Sequence, residues 1–169
     1  MNLVSHKTRS LNGEIVCPGD KSVSQRIIII GSLVNCDMQV NGFLNAHDPI
    51  ATANALNAIG ASISIDGTEA IIRKRENLFN DSKCDLNLGN SGTGSRLLLG
   101  FISGLGLKST IIGDKSLQKR PMKRVIEPLR MMGAELSSNE GKLPIKTLGS
   151  KILDNFEYKM PIALSLIHI

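Results

Sequence analysis

Three short stretches of this chain hold residues whose types and spacing could do chemistry. Pro18 to Arg26, PGDKSVSQR, sets Lys21 and Arg26 at the entrance of an expected helix, after a Pro-Gly turn and with Asp20 or Ser22 as its cap. The first turn of a helix already carries partial positive charge and unpaired N–H groups, so a lysine there is unfavourable unless an anion arrives. Gly89 to Arg96, GNSGTGSR, is a glycine-rich strand-to-helix turn that ends in a second cation, and Lys119, Arg120, Lys123 and Arg124 surround Pro121. The chemistry these residues suit is capture of phosphate or carboxylate, by backbone N–H groups at a helix start and by arginine forks. Singly, each has a plainer explanation: surface cations are mostly solvated, and glycines serve tight turns. The glycine-rich turn is neither G-x-x-x-x-G-K-[ST] nor G-x-G-x-x-G, so no nucleotide fingerprint is present. Function requires that the three stretches converge on one cleft.

The elements that would position them follow from pattern. Leu11 to Cys17 reads as a strand and Val23 to Leu33 as a buried helix. Met38 to Phe43 is strand-like, Asp48-Pro49 reads as cap and first turn of a helix closed by Gly60, and Ala61 to Ile65 pairs with Ala70 to Arg73 across Asp66-Gly67. Asp85 to Leu88 is a strand, Gly89 to Gly94 a loop, Ser95 to Leu105 a helix and Ser109 to Ile112 a strand. Pro121 then opens a helix to Met132 with Pro128 as a break, followed by a hairpin, Glu135 to Ser138 and Leu143 to Thr147, around Glu140-Gly141.

This order repeats. LNAIGASIS at Leu56 returns as LRMMGAELS at Leu129, a spacing of 73 residues, and GDKSVSQR at Gly19 aligns with GNSGTGSR at Gly89, a spacing of 70. The expectation is an α/β fold of βαβαββ repeats: two copies, with Lys151 to Pro161 opening a third. Such units bury their helices against one another, so an unfinished array leaves a flank exposed.

Composition agrees with a globular, aliphatic protein: 169 residues, 41% hydrophobic, four Phe, one Tyr and no Trp. A net charge of +5 favours anionic partners, and the shortage of aromatic platforms argues against a single-strand nucleic-acid binder. Cys17, Cys36 and Cys84 are odd in number and lack C-x-x-C spacing, which suggests neither a disulfide framework nor a zinc site. His6, His47 and His168 are scattered and take no role. No signal peptide or membrane-length apolar run is evident, so a cytoplasmic location is expected.

Taken together and in order, PGDKSVSQR, LNLGNSGTGSRLL (Leu86 to Leu98) and GDKSLQKRPMKRVIEPLRMMGAEL (Gly113 to Leu136) closely resemble the 5-enolpyruvylshikimate-3-phosphate synthase family, from about Leu11 to Ala163. The related UDP-N-acetylglucosamine enolpyruvyl transferases are a poorer match, having Ala-Lys-Asn where this chain has Asp20-Lys21-Ser22. Ser91, and the absence of proline after Arg96, resemble the class II branch associated with glyphosate tolerance. The resemblance implies a transferase of the shikimate pathway, hence of aromatic amino-acid and chorismate biosynthesis. It would move the enolpyruvyl group of phosphoenolpyruvate to shikimate 3-phosphate and release phosphate, with no metal and no organic cofactor.

Carried over by position, Lys21 would be the catalytic cation touching both substrates, with Ser22 and Arg26 holding shikimate 3-phosphate. Gly92 and Arg120 would bind phosphoenolpyruvate, supported by Asn90, Thr93 and Arg96. The resemblance also implies two domains of three repeats each, in a protein over twice this length that is monomeric and binds neither nucleic acid nor membrane. Residues 1–17 would then belong to the other, C-terminal domain, residues 18–163 would form an incomplete substrate-binding domain, and the chain alone would be inactive. The departure from the family at Leu164 is abrupt: LSLIHI matches one translated frame of a transposon-derived sequencing adapter, and 164–169 is read as a foreign tail. The rival from another class is a basic module binding nucleic-acid phosphates through the same cations.

Overall fold

A computed structural model of the chain describes residues 3–7, 9–149 and 157–159. The Asp20 carboxylate caps α1 (Lys21–Gly31) by accepting the Val23 N–H at 2.7 Å. Four consecutive isoleucines, Ile27 to Ile30, are mediocre helix formers by a few tenths of a kcal/mol each. Burial decides the matter, because Ile28 and Ile29 enter the core and each such side chain gains about 1.5–3 kcal/mol there. After α1 come β1 (Met38–Asn41), α2 (His47–Ala58), β2 (Ile63–Asp66) and β3 (Glu69–Ile72), which form a three-stranded antiparallel sheet in the order β1-β3-β2.

The second unit follows the same plan. It contains β4 (Leu86–Asn87), α3 (Gly92–Leu105), β5 (Lys108–Ile112), a single 3-10 turn at Leu117–Lys119, α4 (Lys123–Met131), β6 (Leu136–Asn139) and β7 (Lys142–Leu148). Its sheet runs β4-β5-β7-β6, with β4 parallel to β5 and the other pairs antiparallel. The helices of both units pack on one another around Ile28, Leu56, Ile59, Leu98, Leu99 and Ile102, the aliphatic core that the composition demands. The segment joining the units is pinned by two of the scarce aromatics: Phe79 meets Phe101 edge-on at 5.2 Å, with the Arg75 guanidinium 3.7 Å above the Phe79 ring.

The 73-residue spacing reappears as duplicated bonds. Ala61 N–H donates to Leu56 O at 3.0 Å and Ala134 N–H to Leu129 O at 2.9 Å. Gly60 and Gly133 turn the chain at φ +106° and +97°, a region costly for any residue with a Cβ. Asn57 clamps the end of α2 to β2, donating to Ile63 O at 2.9 Å and accepting the Ile63 N–H at 2.8 Å, and Arg130 donates to Leu136 O at 2.7 Å in the same place of the second unit.

Several expectations need correcting. Leu11 to Cys17 forms no strand; Leu11, Ile15 and Val16 are exposed, and β1 is left as a sheet edge, one strand short of the second unit. Ala46, not Asp48, holds the cap position of α2, because the helix begins at His47 and leaves the Asp48 side chain free for another task. The helix α3 starts at Gly92 instead of Ser95, so Gly92 and Gly94, expected in a loop, form its first turn, and only Gly89 stays in the turn before it. Pro121 precedes α4 by two residues, and the helix continues through Pro128 to Met131. The expected third copy at 151–161, apart from the irregular 157–159, and the tail at 164–169 lie outside the described residues. Among the described residues, no helix is long and apolar enough to cross a membrane.

Replacing Asn57 by Ala removes both bonds of the clamp and leaves Ile63 N–H without its partner, so a loss of about 1–3 kcal/mol is expected in chemical denaturation. An unchanged midpoint would show that the clamp is incidental.

Candidate anion-binding site

The first turns of α1, α2 and α3 meet the loop that ends at Arg120 around a cleft of ≈ 370 Å³, lined by Lys21, Asp48, Asn90, Gly92, Thr93, Arg96 and Arg120. Each helix brings its positive end to this place. Of α3's first N–H groups, Gly94's is taken by the Ser91 side-chain oxygen at 3.1 Å and Ser95's by Ser91 O at 3.0 Å. Those of Gly92 and Thr93 have no acceptor among the described residues and stay open to one from outside the helix.

Lys21 heads α1, where the macrodipole disfavours it, and the chain answers with its own carboxylate: Lys21 Nζ lies 3.1 Å from Asp48 Oδ2. Asp48 in turn sits in the first turn of α2, where a negative charge is favoured. Arg96 reaches back along α3 to donate to Gly92 O at 2.7 Å and across to Pro121 O at 3.0 Å. Arg120 donates to the Asn90 side-chain oxygen. Among the described residues neither arginine forms an ion pair. The lining therefore holds three cations against one carboxylate. Burial first, and then the charges of Arg120 and Arg124, pull the Arg96 guanidinium below its ordinary value. Such a set of neighbouring, unpaired guanidiniums is relieved by an oxyanion.

Gly92 is what lets the two guanidiniums close in. A Cβ there would lie 2.9 Å from Arg120 Nη1 and 3.0 Å from Arg96 Nη1. Size does not single this cleft out, since a larger hollow of ≈ 520 Å³ between α2 and β4 has Asp85 in its wall and neither lysine nor arginine. Charge and open donors do.

Of the residues singled out from sequence, the structure brings Lys21, Asn90, Gly92, Thr93, Arg96 and Arg120 together and leaves Ser22 and Arg26 outside the cleft. The Arg26 guanidinium lies along α1 and donates to Ser22 O at 3.2 Å. The reason is a matter of one residue. Aligning the motifs at a spacing of 70 equates Arg26 with Arg96, but the caps Asp20 and Ser91 are 71 apart, so Arg26 is the sixth residue of its helix and Arg96 the fifth. One residue rotates a side chain by about 100° around a helix. Sequence reasoning missed Asp48, taken for a cap, and Gln25, fully buried one turn beyond Lys21. The signal for Gln25 was a large amide set next to an isoleucine run.

A family model described as EPSP synthase (3-phosphoshikimate 1-carboxyvinyltransferase) matches residues 5–165. The 3-phosphoshikimate 1-carboxyvinyltransferase of Bartonella quintana is 40% identical over 163 residues, covering 95% of this chain and 37% of the relative. That of Petrotoga mobilis is 43% identical over 160 residues, covering 92% and 37%. A solved EPSP synthase from Acinetobacter baumannii superposes with a TM-score of 0.83 at 37% identity, covering 90% of this chain and 35% of that one. The chain belongs to the EPSP synthase family. It spans a little over a third of the length of the relatives it matches.

In Gly92→Ala both guanidiniums must retreat by a few tenths of an ångström. Titration with inorganic phosphate is expected to show affinity falling several-fold while the melting temperature holds or rises, because alanine in a helix is worth up to about 1 kcal/mol over glycine. Unchanged affinity would remove the cleft's claim to close backbone approach.

Proposed function

We propose that this chain is the N-terminal part of an enzyme that transfers the enolpyruvyl group of phosphoenolpyruvate to a ring hydroxyl of shikimate 3-phosphate. The hydroxyl gives up its proton and its oxygen bonds to the enol carbon while the methylene carbon takes up a proton, giving a tetrahedral adduct. Loss of a proton from the resulting methyl group then re-forms the double bond as the carbon–oxygen bond to phosphate breaks and inorganic phosphate leaves. Both substrates are small polyanions, and fixed cations stabilise the charges of the adduct without reorganising. The observation that carries this reading is the convergence of Lys21, Arg96 and Arg120 with the open first turn of α3.

Lys21 contacts both substrates. Arg120 and the backbone at Gly92 hold phosphoenolpyruvate, with Asn90, Thr93 and Arg96 in support. Ser22 and Arg26, beside Lys21 on α1 but outside the cleft, hold shikimate 3-phosphate in an adjoining subsite. The enzyme is cytoplasmic and monomeric, uses neither metal nor organic cofactor, and falls in the glyphosate-tolerant branch that Ser91 and Leu97 resemble. Residues 1–17 complete a sheet of a C-terminal domain, 18–163 begin the substrate-binding domain, and 164–169 are foreign to it. Two observations support an unfinished domain: Leu11 to Cys17, exposed and paired with no strand among the described residues, and the outward face of α1, where Val23 and Ile30 are 63% and 59% exposed.

The test is to recover the reading frame downstream of codon 163 and express the longer product beside the 169-residue chain. The longer product is expected to release one phosphate per phosphoenolpyruvate consumed, Lys21→Ala to abolish that release, and the short chain to release none. A longer product that folds yet releases no phosphate, or that instead binds nucleic acid with an affinity falling steeply with salt, overturns the reading.

A further inference from the structure

Beneath the ion pair of Lys21 and Asp48 lies a second polar tier. Gln25 follows Lys21 by four residues on α1 and Thr52 follows Asp48 by four on α2, so each sits one turn deeper on the same helix face. Gln25 and Thr52 are completely buried, as is Ser91, the cap of α3. The Gln25 amide nitrogen donates to Ser91 Oγ at 2.7 Å and to Thr52 Oγ1 at 3.0 Å, with Asp48 O at 3.3 Å. Thr52 Oγ1 donates to Asp48 O at 2.9 Å, and Ser91 Oγ receives the Gly94 N–H. One amide thus ties together the helix bearing Lys21, the helix bearing Asp48 and the turn bearing Gly92.

The fit is close enough to dictate a glycine. A Cβ on Gly94 would come within 2.6 Å of Ser91 Oγ, 2.6 Å of Thr52 Oγ1 and 2.9 Å of Gln25 Nε2. As a device for stability it is poor: two amide protons serve three acceptors, and among the described residues Gln25 Oε1 is buried without a donor. An apolar core residue of the same length would fold as well.

We infer that Gln25 is a positioning residue: through Ser91 it fixes the first turn of α3 against Lys21 and Asp48, so that open N–H groups and cations meet one oxyanion. This rests on the reading of the cleft as an anion site, but its decisive measurement needs no ligand. In Gln25→Met, which keeps length and loses both donors, amide hydrogen exchange of Gly94 is expected to speed up about tenfold while the melting temperature is unchanged or higher. Exchange at Gly94 that stays as slow as in the unaltered chain overturns the inference, whatever the cleft binds.

Titration with inorganic phosphate separates the two claims. The unaltered chain binding no phosphate counts against the anion site alone, and Gly94 exchange still decides the role of Gln25. If the unaltered chain does bind, Gln25→Met is expected to weaken binding about five- to tenfold, and Gln25→Met/Ser91→Ala to be no weaker than Ser91→Ala, since both act through one cap. Losses that simply add would also overturn the inference.

Discussion

Everything in the cleft depends on holding like charge together. The starts of three helices, each equivalent to roughly half a positive charge, share a space with the side chains of Lys21, Arg96 and Arg120 and a single carboxylate. Left to themselves these groups would spread into solvent, where exposed pairs and cations contribute little. They stay because the helices beneath them share an aliphatic core, so that separating the charges would mean parting the helices. The concentration of positive charge is thus stabilised by packing, and an arriving oxyanion relieves a repulsion already in place.

Packing in turn follows from repetition. Each unit presents a helix start beside a strand end, and the duplicated bonds at Leu56 and Leu129, and at Asn57 and Arg130, show the same backbone course twice. Two units whose helices share one core bring their helix starts to the same side. The convergence of motifs far apart in the chain is therefore a consequence of topology, and needs no long-range contact designed for each residue.

Much of this was legible in the sequence, for physical reasons that can be named. The repeat showed because glycines at 60 and 133 serve a positive φ that other residues resist, and because alternation such as Ile63 to Ile65 marks a half-buried strand. Lys21 stood out because a cation in the first turn of a helix is unfavourable unless an anion is present, whereas Gly92 and Arg120 stood out through the order and spacing of the three motifs taken together. What stayed hidden was tertiary. The strand pattern of Leu11 to Cys17 is a local preference, and a strand forms only where a sheet edge receives it. The partnership of Lys21 with Asp48, and the reach of Gln25 to a serine 66 residues away, depend on how helices pack and leave no mark in spacing along one chain.

The two units are most informative where they differ. Matched by their caps, Asp20 corresponds to Ser91 and Lys21 to Gly92. At the first helical position one unit supplies a cation and the other an absence of side chain, and the difference matters: a second lysine at position 92 would fill the space where the guanidiniums of Arg96 and Arg120 approach. The caps differ for a related reason. Asp20 is exposed, whereas Ser91 is wholly buried. An aspartate at 91 would have to bury a charge beside the neutral Gln25 amide. It would also set a second carboxylate beneath the open first turn of α3, cancelling the field that an anion would feel there. A neutral cap is the one choice that satisfies the helix, the buried tier and the cleft above it.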